Sequence, residues 1–266
     1  MQMPGETARW VEEQRLVYYR SQPDAAFWDA HWRTHLASEI YRGAAQGYLG
    51  CFDGPFTRYL PKHGRIVEAG CGLGQHVLAL RVRGYEVDGV EWGAETVKAV
   101  QARFPNLPVR VGDVTQLDVP DGYYSGYVSL GVVEHRQEGP EPFLHEAHRV
   151  LAPGGVACIS VPWVHPLRRL KARLGLYRGK SAGLAFYQYA FTVAELALLL
   201  QSAGFKIIGR MAYDSYKGIK DEIPLLRRMF TWPGIGCRLQ QWLQRQRYLD
   251  THLGHMVLVI CQKPHH

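Results

Sequence analysis

The chain has 266 residues, of which 47% are hydrophobic and 21% charged, and its formal net charge is +7. This composition excludes a disordered or fibrous chain and is sufficient for one large domain with an appendage. No apolar run approaches the roughly 20 residues that a membrane span requires. The first residues also lack the basic and apolar regions of a secretory signal, so we expect a cytoplasmic protein.

The cysteines and histidines give no clear metal or disulfide pattern. The five cysteines are widely spaced and include no C-x-x-C pair, which is typical of a reducing compartment. Two histidine pairs, His31/His35 and His145/His148, have spacings that suit a metal on a helix face, but no third ligand is evident for either. We therefore predict no metal site.

In chain order, residues 1–60 come first, with apolar and aromatic positions at mixed spacings of three and four. This spacing predicts a helical N-terminal extension or cap that packs on a larger body. From residue 65 onward, strand-like and helix-like segments alternate. The strands are predicted at 65–70, 86–91, 109–114, 124–133 and 155–162, and the helices at 74–83, 93–104 and 140–151. This alternation is typical of βαβ units and predicts a mostly parallel sheet with helices on both faces.

Beyond residue 162 the alternation is interrupted by two basic segments. Residues 163–191 contain six Lys or Arg and no acid, and residues 215–253 contain seven Lys or Arg and three acids. The remaining elements are a helix that begins at a Thr192–Glu195 capping box and ends near Ala203, and strands at 205–214 and 255–263. We therefore predict a domain over 61–266 that carries both basic segments as insertions.

A glycine-rich segment, Glu68-Ala69-Gly70-Cys71-Gly72-Leu73-Gly74, follows the first strand of the alternation. Open α/β sheets bind ligands at such strand ends, where glycine lets the backbone approach the ligand. A dinucleotide fingerprint would need glycine at position 75, which is Gln75. The observed G-x-G-x-G spacing disfavours an NAD-dependent oxidoreductase, and Glu68 suits a ligand with an ammonium group. A tight turn without a ligand is the structural alternative.

Acidic and aromatic residues at the ends of the next two strands extend this candidate site. Glu91 lies 21 residues after Gly70, where a carboxylate can accept hydrogen bonds from both ribose hydroxyls. Trp92 can stack on an adenine face or pack as a core aromatic. Asp113 can accept from an adenine amino group or cap a helix.

These residues resemble the ordered motifs of class I S-adenosylmethionine-dependent methyltransferases. The further matching segments are Gly112-Asp113, Ser129-Leu130-Gly131-Val132-Val133-Glu134-His135 and Arg149-Val150-Leu151-Ala152-Pro153-Gly154-Gly155. They most resemble the broad type 11/12-like group that includes ubiquinone and menaquinone biosynthesis methyltransferases, from about residue 60 to 214 and in the last strand. The resemblance implies a Rossmann-like α/β fold with seven strands, the last antiparallel and placed between the fifth and sixth.

The resemblance also implies S-adenosyl-L-methionine as the cofactor. The candidate cofactor-binding residues are Glu68, Gly70, Cys71, Gly72, Gly74, Glu91, Trp92, Asp113, Val114, Leu130 and Gly131. Among them, the three glycines would line the methionine end of the cofactor, with Leu130 and Gly131 beside the methionine backbone. Glu91 would hold the ribose, and Asp113 with Val114 the adenine.

Methyl transfer from a sulfonium is an in-line displacement, so holding the acceptor close to the methyl group supplies much of the acceleration. A phenolic acceptor would also need a base. His135 follows the fourth strand and is the candidate base, with a purely structural histidine as the alternative. The candidate acceptor-binding residues are Trp28, Trp32, Tyr187 and Tyr189.

We therefore predict an enzyme that methylates a small molecule, with O- or C-methylation of an apolar or aromatic, optionally anionic, metabolite favoured. Together with the N-terminal helices, the basic insertions are predicted to cover the cleft as a lid, or to contact an anionic membrane peripherally. Solvated helical faces are the simpler interpretation of each insertion. A non-catalytic methyltransferase-like module and a lipid-linked or RNA acceptor stay open. DNA is not expected because Leu130-Gly131-Val132-Val133 replaces the Asn/Asp-Pro-Pro-aromatic motif of base methyltransferases. The chain is expected to be a monomer or a homodimer.

Overall fold

The computed structural model describes residues 8–12, 15–20, 23–34, 38–177, 183–223, 226, 230, 232 and 234–265. Its strands are β1 Ala8–Glu12, β2 Arg15–Arg20, β3 Arg65–Ala69, β4 Glu86–Glu91, β5 Val109–Val111, β6 Tyr124–Leu130, β7 Leu151–Pro162, β8 Ala185–Ala190, β9 Lys206–Tyr213 and β10 Met256–Gln262. Its helices are α1 Ala25–Arg33, α2 Ser38–Ala44, α3 Asp53–Tyr59, α4 Gln75–Val82, α5 Ala94–Arg103, α6 Glu141–Val150, α7 Pro166–Arg173, α8 Val193–Ser202 and α9 Ser215–Glu222, followed by the helices Ile235–Arg245 and Arg247–Leu253.

Seven of these strands form the central sheet, in the order β5-β4-β3-β6-β7-β10-β9. Strands β3 to β7 pair in parallel, while β10 is antiparallel to both β7 and β9. This arrangement confirms the predicted mostly parallel sheet and the position of the last strand. The strand β5 is shorter than predicted, and Gly112-Asp113 lie in the turn that follows it.

The core lies on both faces of this sheet because the parallel strands are apolar on both sides. On β3, Ile66 packs into one apolar cluster and Val67 into the other, and both side chains are fully buried. Burial on both faces is typical of parallel sheets covered by helices. The carboxyl ends of β3, β4 and β6 therefore stay at one edge, where their loops can form a site.

The predicted helical extension over residues 1–60 is wrong in its first part. Strands β1 and β2 form an antiparallel hairpin, and β2 also pairs antiparallel with β8 in a separate three-stranded sheet. Among the described residues, the first helix is α1. The segment Leu16-Val17-Tyr18-Tyr19 is rich in residues that favour strands, and its partner β8 is too distant in sequence to give a local signal.

A buried cluster of charges links this hairpin to both basic insertions. Glu222 at the end of α9 accepts hydrogen bonds from Arg9 of β1, from Arg168 Nε of α7 at 3.0 Å and from Lys171 Nζ at 2.7 Å. Both Arg168 and Glu222 have fully buried side chains. Burial alone would raise the pKa of Glu222, but Arg9 and Arg168 lower it to about 2. We call the hairpin, α1, α7, β8, α9 and the two helices after α9 the cap.

Candidate active site

A cavity of about 550 Å³ opens between the central sheet and the cap. Its volume lies in the range of small-molecule sites, about 300–1,000 Å³. The residues that line it are Pro23, Asp24, Trp28, Trp32, Gly70, Glu91, Trp92, Asp113, Val114, Thr115, Leu130, Gly131, Val132, His135, Arg136, Gln137, Glu138, Phe143, Ala185 and Phe186. The cavity therefore lies at the carboxyl ends of β3, β4 and β6, as expected for an open α/β sheet.

The glycine loop passes beneath the helix α1. Gly70 and Gly72 have φ angles of +79° and +51°, a region that side chains rarely adopt. A Cβ at Gly72 would lie 2.6 Å from the ring of Trp32, and one at Gly70 would lie 2.4 Å from a methyl group of Val132. Gly74 begins α4 and faces Leu107 instead. Gly70 is thus required by close approach at the cavity, Gly72 by close approach to Trp32 of α1, and Gly74 by the packing of helix on sheet.

Glu91 holds the glycine loop to the end of β4. One carboxylate oxygen accepts from the backbone N–H of Gly72 at 2.9 Å, and the other accepts from that of Gly93 at 3.0 Å. The side chain is only 5% exposed but lines the cavity. Burial raises the pKa of Glu91, and the two N–H donors oppose that rise because they stabilise the anion. Each oxygen retains acceptor capacity for a ligand hydroxyl.

Four predicted cofactor residues do not line the cavity: Glu68, Cys71, Gly72 and Gly74. The carboxylate of Glu68 is buried, accepts from the backbone N–H of Val77 at 3.1 Å and lies 3.0 Å from His76 Nδ1. It therefore fixes the first turn of α4 instead of facing a ligand. Gly72 is covered by α1, and Cys71 is buried beneath the loop.

Trp92 and Asp113 line the cavity just after the carboxyl ends of β4 and β5. The side chain of Trp92 is 52% exposed and lines the cavity, so the alternative of a core aromatic is wrong. Asp113 accepts from the backbone N–H of Thr115 at 2.8 Å and from its hydroxyl at 2.7 Å. These bonds fix a turn instead of a helix N-terminus. Val114, Leu130 and Gly131, also predicted to bind the cofactor, line the cavity.

His135 lies between the two walls of the cavity. Its Nδ1 lies 2.8 Å from the carbonyl oxygen of Tyr187, which can only accept, so Nδ1 carries the proton. Burial lowers the pKa of His135 to about 4, and the ring is therefore neutral at neutral pH. The neutral ring keeps its lone pair on Nε2, as a general base requires.

The aromatic wall differs in part from the prediction. Trp28 and Trp32 of α1 line the cavity, but Tyr187 and Tyr189 do not. The ring of Tyr187 packs against that of His135, 4.9 Å between centroids, and the Tyr189 hydroxyl donates to the carbonyl of Gln137 at 2.7 Å. From the same strand, Phe186 reaches the cavity instead. The sequence alone does not show which side of β8 faces the cavity.

The sequence reasoning missed two acidic residues beside this site. Asp29 of α1 accepts from the backbone N–H of Thr96 at 2.8 Å and so anchors α1 to the start of α5. Glu134 is buried, and its Oε2 has no hydrogen-bond partner among the described residues. Burial raises the pKa of Glu134 to about 8, and its Oε1 lies 4.0 Å from His135 Nε2. A carboxylate adjacent to a candidate base was a usable signal for Glu134, whereas Asp29 has no local one.

Within the described ranges, no group of three or more His, Cys, Asp or Glu side chains could hold a metal ion. Of the histidines considered for a metal, His35 lies outside those ranges, and His148 packs against Phe205. None of the helices described is long and apolar enough to cross a membrane.

Comparisons with known proteins agree with this geometry. Residues 67–159 match the model of a methyltransferase domain family. The chain is 32% identical over 143 residues to a probable S-adenosylmethionine-dependent methyltransferase of Mycolicibacterium smegmatis, covering 53% of this chain and 52% of the relative. It is 27% identical over 155 residues to a ubiquinone biosynthesis O-methyltransferase of Psychrobacter arcticus, covering 53% and 58%. The chain thus spans about half the length of the curated relatives it matches.

A solved structure extends the likeness in fold beyond that half. It comes from the complex that contains the Trm112 methyltransferase activator of Haloferax volcanii; the TM-score is 0.59 at 16% identity, covering 92% of this chain and 98% of the other. At that identity the likeness shows the fold alone. The family match, the relatives and the sheet order together identify a class I S-adenosylmethionine-dependent methyltransferase domain. The cofactor of this class is S-adenosyl-L-methionine, which confirms the predicted class and cofactor.

Proposed function

We propose that this methyltransferase domain transfers a methyl group from S-adenosyl-L-methionine to a small apolar or aromatic acceptor, at oxygen or carbon. The observation that carries the proposal is the single cavity that joins the glycine loop and Glu91 on the sheet side to aromatic side chains of the cap, with His135 between them. Such a cavity can hold a cofactor and an acceptor side by side.

The residues on the sheet side fit the cofactor. Glu91 is a buried carboxylate that can accept from ribose hydroxyls, and the exposed ring of Trp92 offers an apolar face for adenine. Gly70 and the neighbouring Gly131, both at positive φ, leave the backbone open to close approach beside them. When bound, the cofactor supplies an activated methyl group on a positively charged sulfur.

The cap side indicates the character of the acceptor. Trp28 and Phe186 of the cap, together with Phe143 of α6, present large apolar surfaces, which suit an aromatic or aliphatic body. Arg136 also lines the cavity, with its Nε 3.5 Å from a carboxylate oxygen of Glu138. A guanidinium at this position suits an acceptor that carries a carboxylate or phosphate. The relative named as a ubiquinone biosynthesis O-methyltransferase supports methyl transfer to oxygen.

His135 is proposed to remove the acceptor proton as the methyl group is transferred. The Tyr187 carbonyl fixes the tautomer of His135, which leaves the Nε2 lone pair available. Burial lowers the pKa of His135 to about 4, so the ring is unprotonated over the whole neutral range. It would accept the proton only as methyl transfer makes the acceptor group more acidic. The protonated ring would then lie 4.0 Å from Oε1 of Glu134, and a positive charge at that distance would favour ionisation of this otherwise neutral carboxyl.

The test is transfer of a labelled methyl group from the cofactor into a metabolite extract, followed by mass spectrometry of the labelled products. A labelled small aromatic or apolar product is expected. Label found only in RNA or in a lipid-linked product would show that the acceptor is of that class and not a small apolar or aromatic molecule. Tight binding of S-adenosylhomocysteine with no labelled product in any fraction would favour a non-catalytic binding module.

A further inference from the structure

The helix α7 has the reverse of the usual distribution of polar and apolar residues. Its inward side carries Arg168, which is fully buried, and Lys171, which is bound to Glu222. Its outward side carries Leu170 and Leu174, which are 53% and 60% exposed. A surface helix of a soluble protein ordinarily buries its leucines and exposes its charges. The buried charges are satisfied within the cap, and the exposed leucines therefore require a separate explanation.

The exposed leucines are surrounded by positive charge. Arg169 and Arg173 lie one residue before Leu170 and Leu174, and both are exposed. The turn after the helix adds Leu176, which is 56% exposed. No acidic residue occurs from 163 to 191, so nothing on this segment neutralises the two outward arginines. An exposed apolar patch of this kind marks an interaction surface.

The neighbouring helices of the cap carry the same combination. The helix Arg247–Leu253 packs against α7 and exposes Tyr248 and Arg247. The helix Ile235–Arg245 packs against α9 and exposes Trp242 and Arg238. Exposed Leu, Trp and Tyr with interspersed Arg are typical of helices that lie on membrane surfaces, where aromatic rings settle at the headgroup level.

We propose that the outward side of α7, with the helix Arg247–Leu253 beside it, docks on an anionic lipid surface. The leucines would enter the boundary of the acyl chains and the arginines would contact acidic headgroups. An anionic lipid surface is favoured over an apolar protein groove, because the exposed leucines are flanked by the positively charged Arg169 and Arg173. The chain leads from α7 through residues 174–184 into β8, whose Ala185 and Phe186 line the cavity. The docked side therefore precedes the acceptor wall along the chain.

Docking on lipid does not require the proposed methyl transfer, so the two are tested separately. The full chain is sedimented with vesicles of phosphatidylcholine alone and with vesicles that also contain phosphatidylglycerol. We expect binding to the anionic vesicles that weakens as salt is added. The double variant Arg169→Gln/Arg173→Gln should bind about 30-fold more weakly, since each basic residue contributes about 1 kcal/mol at such a surface. Leu170→Asp/Leu174→Asp should lose at least about tenfold.

The control is Leu198→Asp on α8, an equally exposed leucine at 65% that lies outside the cap. It should bind vesicles as the unmodified chain does. Calorimetry with S-adenosylhomocysteine on every variant verifies an intact fold, so a folding defect cannot imitate lost docking. The proposal is overturned by absence of binding to anionic vesicles, or by equal losses in the Leu198→Asp control. It is also overturned if sedimentation velocity shows a dimer that the α7 variants dissociate, because a second copy would then cover this side.

Discussion

The two walls of the cavity are built in different ways. The sheet wall depends on contacts between residues close in sequence, such as those of Glu91 with Gly93 and with Gly72, 19 residues away. The cap wall depends on contacts across most of the chain, such as the bond from Arg9 to Glu222, 213 residues away. Short-range contacts can repeat across a family because a motif carries them. The elements of the cap lie outside residues 67–159, which match the family model, and we therefore expect acceptor choice to reside in the cap.

The largest expected effect lies where the two walls meet. His135→Gln keeps a donor for the Tyr187 carbonyl but removes the basic lone pair. Turnover should fall about 10²–10⁴-fold, the usual contribution of a general base, while S-adenosylhomocysteine affinity stays within about twofold. The measurement is single-turnover transfer of the labelled methyl group, with His148→Gln, which packs on Phe205, as the control. Unchanged turnover in His135→Gln would mean that His135 is not a base and has only a structural role.

The next effect concerns the cap alone. Glu222→Ala leaves Arg168 buried without its anion, which should lower the free energy of unfolding by about 3–5 kcal/mol. The matched control is Glu195→Ala, which removes a pair with Arg15 in which both side chains are about a quarter exposed; it should cost about 0–1 kcal/mol. Denaturant titration measures both. Equal losses would mean that the buried cluster does not hold the cap together.

A third change acts on the sheet wall through the backbone. Gly72→Val places a branched side chain against Trp32 and opposes a φ of +51°. Cofactor affinity should fall by more than about 3 kcal/mol, because both the loop and the space above it change. The control Gly84→Val has a φ of +85° with no atom within 4 Å of a Cβ, so it carries the strain alone. Similar affinities in the two variants would contradict a role for the Gly72–Trp32 contact in shaping the cofactor site.

Glu91→Ala should cost somewhat less, about 1.5–3 kcal/mol of S-adenosylhomocysteine binding, the scale of hydrogen bonds to a charged group. Part of that loss comes from the released N–H of Gly72. Glu91→Gln separates the two contributions, because an amide oxygen still accepts one hydrogen bond. Calorimetry on the three proteins measures the series, and normal binding by Glu91→Ala would remove Glu91 from the cofactor site.

The remaining expected effect is a pH dependence of stability. Burial raises the pKa of Glu134 from 4.5 to about 8, so the folded chain keeps a proton that the unfolded chain releases between those values. Stability from this group is therefore present below pH 4.5 and is lost as pH rises to about 8, by up to about 1.4 kcal/mol per unit. Glu134→Gln should flatten the profile by that amount. The measurement is the free energy of unfolding at several pH values, with the variant of the exposed Glu138, Glu138→Gln, as the control. If the pH profile of Glu134→Gln runs parallel to that of the unmodified chain, Glu134 is not a buried neutral carboxyl.

The sheet wall could be predicted from the sequence better than the cap, because its contacts join residues that are closer along the chain. Strand periodicity and the glycine loop predicted the sheet, and Glu91, Trp92 and His135 line the cavity because motifs fix their positions at strand ends. The hairpin of β1 and β2 was predicted as helix because its stabilising partner, β8, lies far along the chain. The inward Arg168 could not be predicted for a related reason: only the distant Glu222 makes its burial tolerable.

The most direct test of the central claim is calorimetry of the full chain with S-adenosylhomocysteine and, separately, with NAD. The glycine loop and Glu91 are expected to bind S-adenosylhomocysteine in the low micromolar range or tighter, with no measurable heat from NAD. Tight binding of NAD with no binding of S-adenosylhomocysteine would contradict the assignment of this cavity to the sulfonium cofactor.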